Sequence, residues 1–296
     1  MLTMNTSLQR RAILCVLAAS FGYSCSAAVV RGLSVSYPAL EMMLFRSLVV
    51  VLVTLPLLLR QGGLAALRPR APLGHLARLA SGYLGMITAF YGYGHLPLAT
   101  NTALGFCMPL FLTLLSVPLL GEVVGWRRRA AVLVGLAGVL VMIRPWEAQA
   151  ALPLWPVTVV LVGVVGWALA MISIRRMGAA GESNVAIVAW FGIGSLLLSA
   201  VLVVPYWVTP SWGGLLGMLA IGLITSAAQL LMTEGYRMGE TTLVAPFEYG
   251  AIVYSTLLGA VLWGEVPDPV GFVGIGIIVT AGLYIWWRES GRLRPV

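Results

Sequence analysis

The sequence predicts an all-α polytopic membrane protein, with ten transmembrane helices in two inverted five-helix halves around a central cavity. Three observations predict it. The 296 residues are 60% hydrophobic and only 9% charged, with a mean hydropathy of +0.96; a soluble domain of this size needs far more charge to cover its surface. Apolar runs of about the 20 residues that a bilayer-spanning helix requires recur along almost the whole chain. The second half also repeats the first at a nearly constant offset.

The runs fall at 12–30, 38–59, 76–95, 98–120 and 130–146, and again at 153–174, 184–205, 212–234, 241–263 and 268–287, each bounded by charge, Pro or Gly. The first follows Arg10 and Arg11 and continues to Val30. That is long for a signal-peptide core and no A-x-A site follows, so it is expected to be the first span. The third and fourth runs are joined by His95-Leu96-Pro97, which demands a very tight turn. Residues 1–147 form the first repeat and 148–296 the second.

All 18 basic residues are Arg, and the net charge is +8. They lie between apolar runs rather than along one face, which reads as topogenic charge and not as a nucleic-acid surface. With the N-terminus inside, fifteen arginines fall in cytoplasmic segments, Arg78 among them; only Arg31 and Arg144 fall outside, and Arg46 lies within a span. The positive-inside rule therefore places both termini in the cytoplasm, as expected for a bacterial inner-membrane protein. Cys15, Cys25 and Cys107 sit inside apolar runs at spacings that suit neither a metal site nor a CxxC pair. No metal or other cofactor is expected.

A shift of 143 residues superposes Gly92-Tyr93 on Gly235-Tyr236, and Gly121-Glu122-Val123 on Gly264-Glu265-Val266. A shift of 144 brings Gly22-Tyr23 onto Gly166-Trp167 and Arg31 onto Arg175. Five helices is an odd number, so the second half enters the membrane upside down. Inverted repeats of this kind accompany alternating access, with the substrate site between the halves.

The stretch LPLATNTALGFCMPLFLTLLSVPLLGEVVGWRRRAAVLVGLAGVLVMIRP (96–145) resembles the EamA domain of the drug/metabolite transporter superfamily. APFEYGAIVYSTLLGAVLWGEVPDP (245–269) and GFVGIGIIVTAGLYIWWRE (271–289) are similar to its second copy, and FGYSCSAAVVRGL and ALEMMLFRSL fit its first two helices. The resemblance covers almost the entire chain. It implies a cavity lined mainly by helices 1, 3, 4, 6, 8 and 9. The P-F-x-Y of Pro246 to Tyr249 and the Gly-Glu-Val-Pro-Asp at 264–268 look most like the branch with riboflavin and S-adenosylmethionine carriers.

Charges inside hydrocarbon point to function, because one at a span centre costs about 2.5–3.5 kcal/mol without a partner or a wet cavity. Glu248 falls within the ninth run, on one helical face with Thr241, Ala245, Ile252, Ser255 and Gly259. Close helix packing explains the small residues but not the carboxylate, so Glu248 is the candidate for proton coupling. Ser226, Gln229 and Thr233 give the eighth span a polar face. Arg46, mid-span, is expected to anchor to a carbonyl or another helix, and Glu41 to be interfacial. Tyr23, Phe90, Tyr91, Phe106, Trp167, Trp190 and Tyr249, with Gln229, are candidate walls for a planar or amphipathic solute. Glu122 and Glu265, each after a helix-ending Gly, suit a structural or gating role.

A membrane enzyme needs a nucleophile with a base or a metal cluster, and the two histidines, His75 and His95, lie at opposite membrane edges. A channel usually builds its pore from several subunits. The residues favour a secondary carrier of small organic metabolites, held in the lipid bilayer as a monomer or homodimer.

Overall fold

The computed structural model describes residues 6–62, 68–121, 125–146, 152–238 and 245–290. Among these the chain is all-helical: α1 (Thr6–Leu33), α2 (Ala39–Gly62), α3 (Pro72–His95), α4 (Leu98–Gly105), α5 (Met108–Leu120), α6 (Trp126–Ile143), α7 (Leu154–Ala179), α8 (Asn184–Leu202), α9 (Trp212–Met238), α10 (Gly250–Trp263) and α11 (Pro269–Ser290). Helices α4 and α5 together make the fourth span, so eleven helices form ten spans.

Among the described residues, seven stretches are long and apolar enough to cross a membrane: Gln9–Leu33, Ala39–Pro56, Leu98–Leu119, Leu154–Ala179, Val185–Leu202, Trp212–Tyr236 and Pro269–Trp287. The other three spans fall short for visible reasons. Helix α3 dilutes its apolar residues with His75, Arg78 and His95. The apolar part of α6 covers only Arg129–Ile143. The ninth span is interrupted, since residues 245–249 wind as a tight 3-10 turn and regular helix begins at Gly250.

Packing follows the repeat. Helix α1 lies along α9 as α3 lies along α7, and these pairs exchange when first- and second-repeat helices are swapped. Helix α2 packs on α8 and α6 on α11, each pair joining equivalent helices across the axis. The pattern is that of a pseudo-two-fold relating two inverted halves. Small residues set the closest approaches. Gly22 faces Ala228, and Gly166 lies against the Ser81 carbonyl and Gly85, so the two swapped pairs close on equivalent glycines. Gly138 and Gly274 set the close approach of α6 and α11. Between lipid-solvated helices there is little hydrophobic drive, so such close van der Waals contact supplies much of the association.

Gly121 and Gly264, also repeat-equivalent, end α5 and α10 in the left-handed conformation at φ 67° and 69°. The 264 amide closes on the Ala260 carbonyl and the 265 amide on that of Gly259. Glu122 and Thr241 lie outside the described residues. The turn between α3 and α4 is as tight as His95-Leu96-Pro97 demands: Leu96 is extended and Pro97 leads directly into α4. Arg31, at the end of α1, donates to the carbonyls of Tyr93 and Leu96 there and pairs with Glu265.

On the opposite, arginine-rich face, Glu182 ties the α7–α8 connection to the start of α3. Its Oε1 accepts from His75 Nε2 at 3.1 Å and from the amides of Ala71 and Arg70, while Arg70 also donates to the Gly181 carbonyl. Burial alone would raise the carboxyl's pKa, but the His75 bond and the two amides outweigh it and hold Glu182 below the ordinary carboxylate value. Glu41 lies in the first turn of α2 and is fully buried there, accepting from the Val208 amide at 3.3 Å.

Three outcomes are expected. Gly166→Ala places a methyl against backbone atoms that cannot yield, costing about 1–3 kcal/mol and lowering the melting temperature in detergent. Gly276→Ala, with open space around it, should be neutral or gain about 0.5–1 kcal/mol from helix propensity. A group whose folded pKa is depressed contributes stability above its unfolded pKa and loses it as pH falls through the folded value. Glu182→Gln should therefore lower the melting temperature at pH 7, and the gap to the parent protein should begin to close once pH drops below about 4, under the ordinary Glu value, and keep closing down to the depressed folded value.

Candidate functional site

The two broken spans define the site. In the fourth span the break falls at Phe106-Cys107, between α4 and α5; in the ninth it falls at Tyr249-Gly250. A shift of 143 maps one onto the other. Pro109 and Pro246 explain part of this locally, since proline has no amide to give a preceding turn and favours the first turn of a helix. The rings of Phe106 and Tyr249 stack with centroids 4.5 Å apart and planes 24° apart. The equivalent breaks thus meet face to face between the repeats.

Around this stack lies a cavity of about 580 Å³, bounded by all the spans except the fifth and seventh. Irregular backbone at membrane depth is tolerated where it is buried in protein or lines a cavity, and here hydroxyls from α1 serve it. Ser24 donates to the Ala251 carbonyl at 3.1 Å, and Ser20 to that of Glu248 at 3.5 Å. Thr102, Ser255 and Ser24 continue in a hydroxyl chain at 2.9 and 3.2 Å.

Tyr23, Phe90, Phe106, Trp167, Gln229, Tyr249, Glu248 and Arg46 all line the cavity. Tyr23 donates to Gln229 Oε1 at 2.8 Å. The Trp167 indole lies flush on Gly85, where any side chain would collide with it, and reaches Gly105. Tyr236 donates to Glu248 Oε1.

Other candidates lie elsewhere. Tyr91 stacks on His95 at 3.9 Å, and Trp190 stands beside His75 at 6.1 Å near the Glu182 latch; neither lines the cavity. Glu265 pairs with Arg31, whose guanidinium also lies 5.0 Å over Trp263. On the eighth span Thr225 rather than Ser226 joins Gln229 at the wall, sharing a 3.1 Å hydroxyl contact with Ser26. Arg46 forms no carbonyl anchor among the described residues.

The lining also holds residues that were not among the candidates, Arg78, Asn101 and Tyr236 among them. Arg78, counted with the topogenic arginines, sits six residues into α3 and points its guanidinium over Phe191 at 4.1 Å. Asn101 is buried and donates to the Ala89 carbonyl at 3.1 Å, leaving Oδ1 without a partner. Tyr236 is the repeat counterpart of Tyr93, which also lines the cavity. Its retention in both halves was the available signal.

The chain matches the EamA-like transporter family twice, over residues 10–144 and 154–287. It belongs to that family. The EamA-like relatives include a pseudopaline exporter of Pseudomonas aeruginosa, 32% identical over 292 residues, 97% of this chain and 100% of the relative. An S-adenosylmethionine uptake transporter of Rickettsia prowazekii is 27% identical over 250 residues, 84% of this chain and 83% of its own. A riboflavin transporter of Rhizobium johnstonii is 28% identical over 249 residues, 82% and 79% of the two chains. The last two fall in the branch that the P-F-x-Y and Gly-Glu-Val-Pro-Asp segments resemble. A solved crystal structure, 20% identical, superposes with a TM-score of 0.65 over 96% of this chain and 99% of its own, and shares the fold. As an EamA-like protein, the chain is a multi-pass membrane transporter.

Proposed function

We propose that this protein is a secondary carrier of small organic metabolites, working by alternating access across the bacterial inner membrane with both termini cytoplasmic. The observation that carries the reading is a cavity lodged between two inverted repeats, at the point where both broken spans meet. Its volume of about 580 Å³ falls within the range of ligand pockets, about 300–1,000 Å³. Relatives named for pseudopaline, S-adenosylmethionine and riboflavin support a small organic solute. The arginine distribution supports the orientation.

In this reading the Arg31–Glu265 pair closes the arginine-poor face. It joins the ends of α1 and α3 to the connection before α11, so opening that face requires it to part. Glu248, the one carboxylate lining the cavity among the described residues, loads and releases the coupling proton, with Tyr236 as its hydrogen-bond donor.

Flux into proteoliposomes should saturate and show counterflow, whereas a channel gives neither. Glu248→Gln should abolish the pH dependence of net uptake while leaving substrate exchange measurable; unchanged pH dependence removes Glu248 from coupling. Arg31→Gln should raise labelling of a cysteine placed at Val30 by a membrane-impermeant maleimide several-fold in right-side-out vesicles. If labelling does not change, the pair is not the closure on that face.

A further inference from the structure

Helices α6 and α11 pack as a pair whose two ends are charged differently. At the arginine-poor end Arg144, just after α6, pairs with Asp268, just before α11. The same carboxylate accepts the Gly271 amide at 2.7 Å, so it serves a guanidinium and the loose amides of a helix start together. At the arginine-rich end the helix that starts is α6. The shift of 143 maps Asp268 onto Gly125, which has no side chain to offer. The first turn of α6 holds no acid, and its N-cap supplies no side-chain hydrogen bond. What the turn holds is basic. Arg127 and Arg129 are exposed there, and the Arg127 guanidinium lies 5.6 Å from the Trp126 ring centre.

The outward face that continues from this turn is apolar. Trp126, Leu133 and Leu140, spaced by seven, share one exposed side of α6, with Val134 beside it. Trp287 of α11 is exposed at the same end. On a spanning helix such a face meets acyl chains, and a Trp at its head marks the depth of the lipid headgroups. Arginines beside that Trp stand at the level of the lipid phosphates, where the positive end of the α6 dipole adds to their attraction. Guanidinium groups and free helix amides are both donors that phosphate oxygens accept from.

We propose that the start of α6 binds an anionic phospholipid drawn from the surrounding bilayer. Its phosphodiester sits against Arg127, Arg129 and the amides of the first turn, in the place that Asp268 holds in the other repeat. Its acyl chains follow Trp126, Leu133 and Leu140. A zwitterionic headgroup brings an ammonium beside the guanidinium groups and fits worse. Free phosphate brings the charge without the apolar contact. The site lies on the outside of the bundle, on a helix that contributes nothing to the cavity lining, and does not depend on what the cavity carries.

The test titrates the full chain in detergent micelles with phosphatidylglycerol or phosphatidylethanolamine and reads bound lipid by native mass spectrometry. Phosphatidylglycerol should bind about tenfold more tightly, and millimolar inorganic phosphate should not displace it. Arg127→Gln combined with Arg129→Gln should weaken phosphatidylglycerol by about twentyfold, at about fivefold for each arginine near an anionic surface. Phosphatidylethanolamine binding should stay as it was. Lysine at both positions should keep most of the affinity, which separates lost charge from lost fold. Gly125→Asp is the sharper arm. A Cβ there meets nothing within 4 Å, so the new carboxylate can take the place that Asp268 has in the other repeat. It should raise the melting temperature of the lipid-free protein by capping α6, and weaken phosphatidylglycerol about tenfold. Because this variant is expected to be the more stable one, it decides the matter if the double Gln variant does not fold. Equal binding of the two lipids, displacement by inorganic phosphate, full affinity in the folded double Gln variant, or undiminished binding in Gly125→Asp would each overturn the site.

Discussion

A helix in hydrocarbon has no water to receive a backbone group that its own ladder leaves free, so a span is interrupted only where something else takes up the loose amides and carbonyls. This protein interrupts two spans, at equivalent points, and brings the interruptions together. Nearly everything else in the middle of the molecule answers to that. The α1 serines reach the carbonyls near the ninth-span break, Thr102 and Ser255 bridge the two broken spans, and the Phe106 and Tyr249 rings cover the join. The glycines that let α1 approach α9, and α3 approach α7, hold those helices close on either side.

The ten spans were legible because each is a long apolar run closed by charge, Pro or Gly, and a 3.6-residue period is not needed when the surroundings are lipid. The internal offset was legible for the same reason: Gly92-Tyr93 and Gly121-Glu122-Val123 recur at one spacing. The interruption of the ninth span was not. Residues 241–263 have the composition of a continuous helix, and Pro246 marks a break only when its position in the turn is known. The stripe through Ala245 and Glu248 assumed regular helix, whereas these residues lie on the tighter 3-10 turn.

At the site, chemistry of one kind was readable and of another was not. Aromatic residues in mid-span stand out because membrane-interface belts cannot account for them, and Tyr23, Trp167, Phe106 and Tyr249 do face the cavity. Tyr91 and Trp190 have the same residue types at other angles on their helices, and the angle is what composition leaves out. Arg78 illustrates the reverse. By sequence it is one more arginine beside an apolar run, and only the start of α3 at Pro72 carries it inward to the cavity wall. Arg31 and Glu265, 234 residues apart, meet through the fold alone.

The symmetry of the backbone is not matched by symmetry of charge. Across the pseudo-axis Glu248 stands opposite Gly105, and the Tyr249 hydroxyl opposite a bare Phe106 ring. Two orientations related by exchanging the repeats would be equal in energy only if equivalent positions carried the same groups. Here one half brings a carboxylate and a phenol to the centre and the other brings hydrogen atoms. The repeat therefore carries a fault line, and two arrangements related by exchanging its halves would differ in energy.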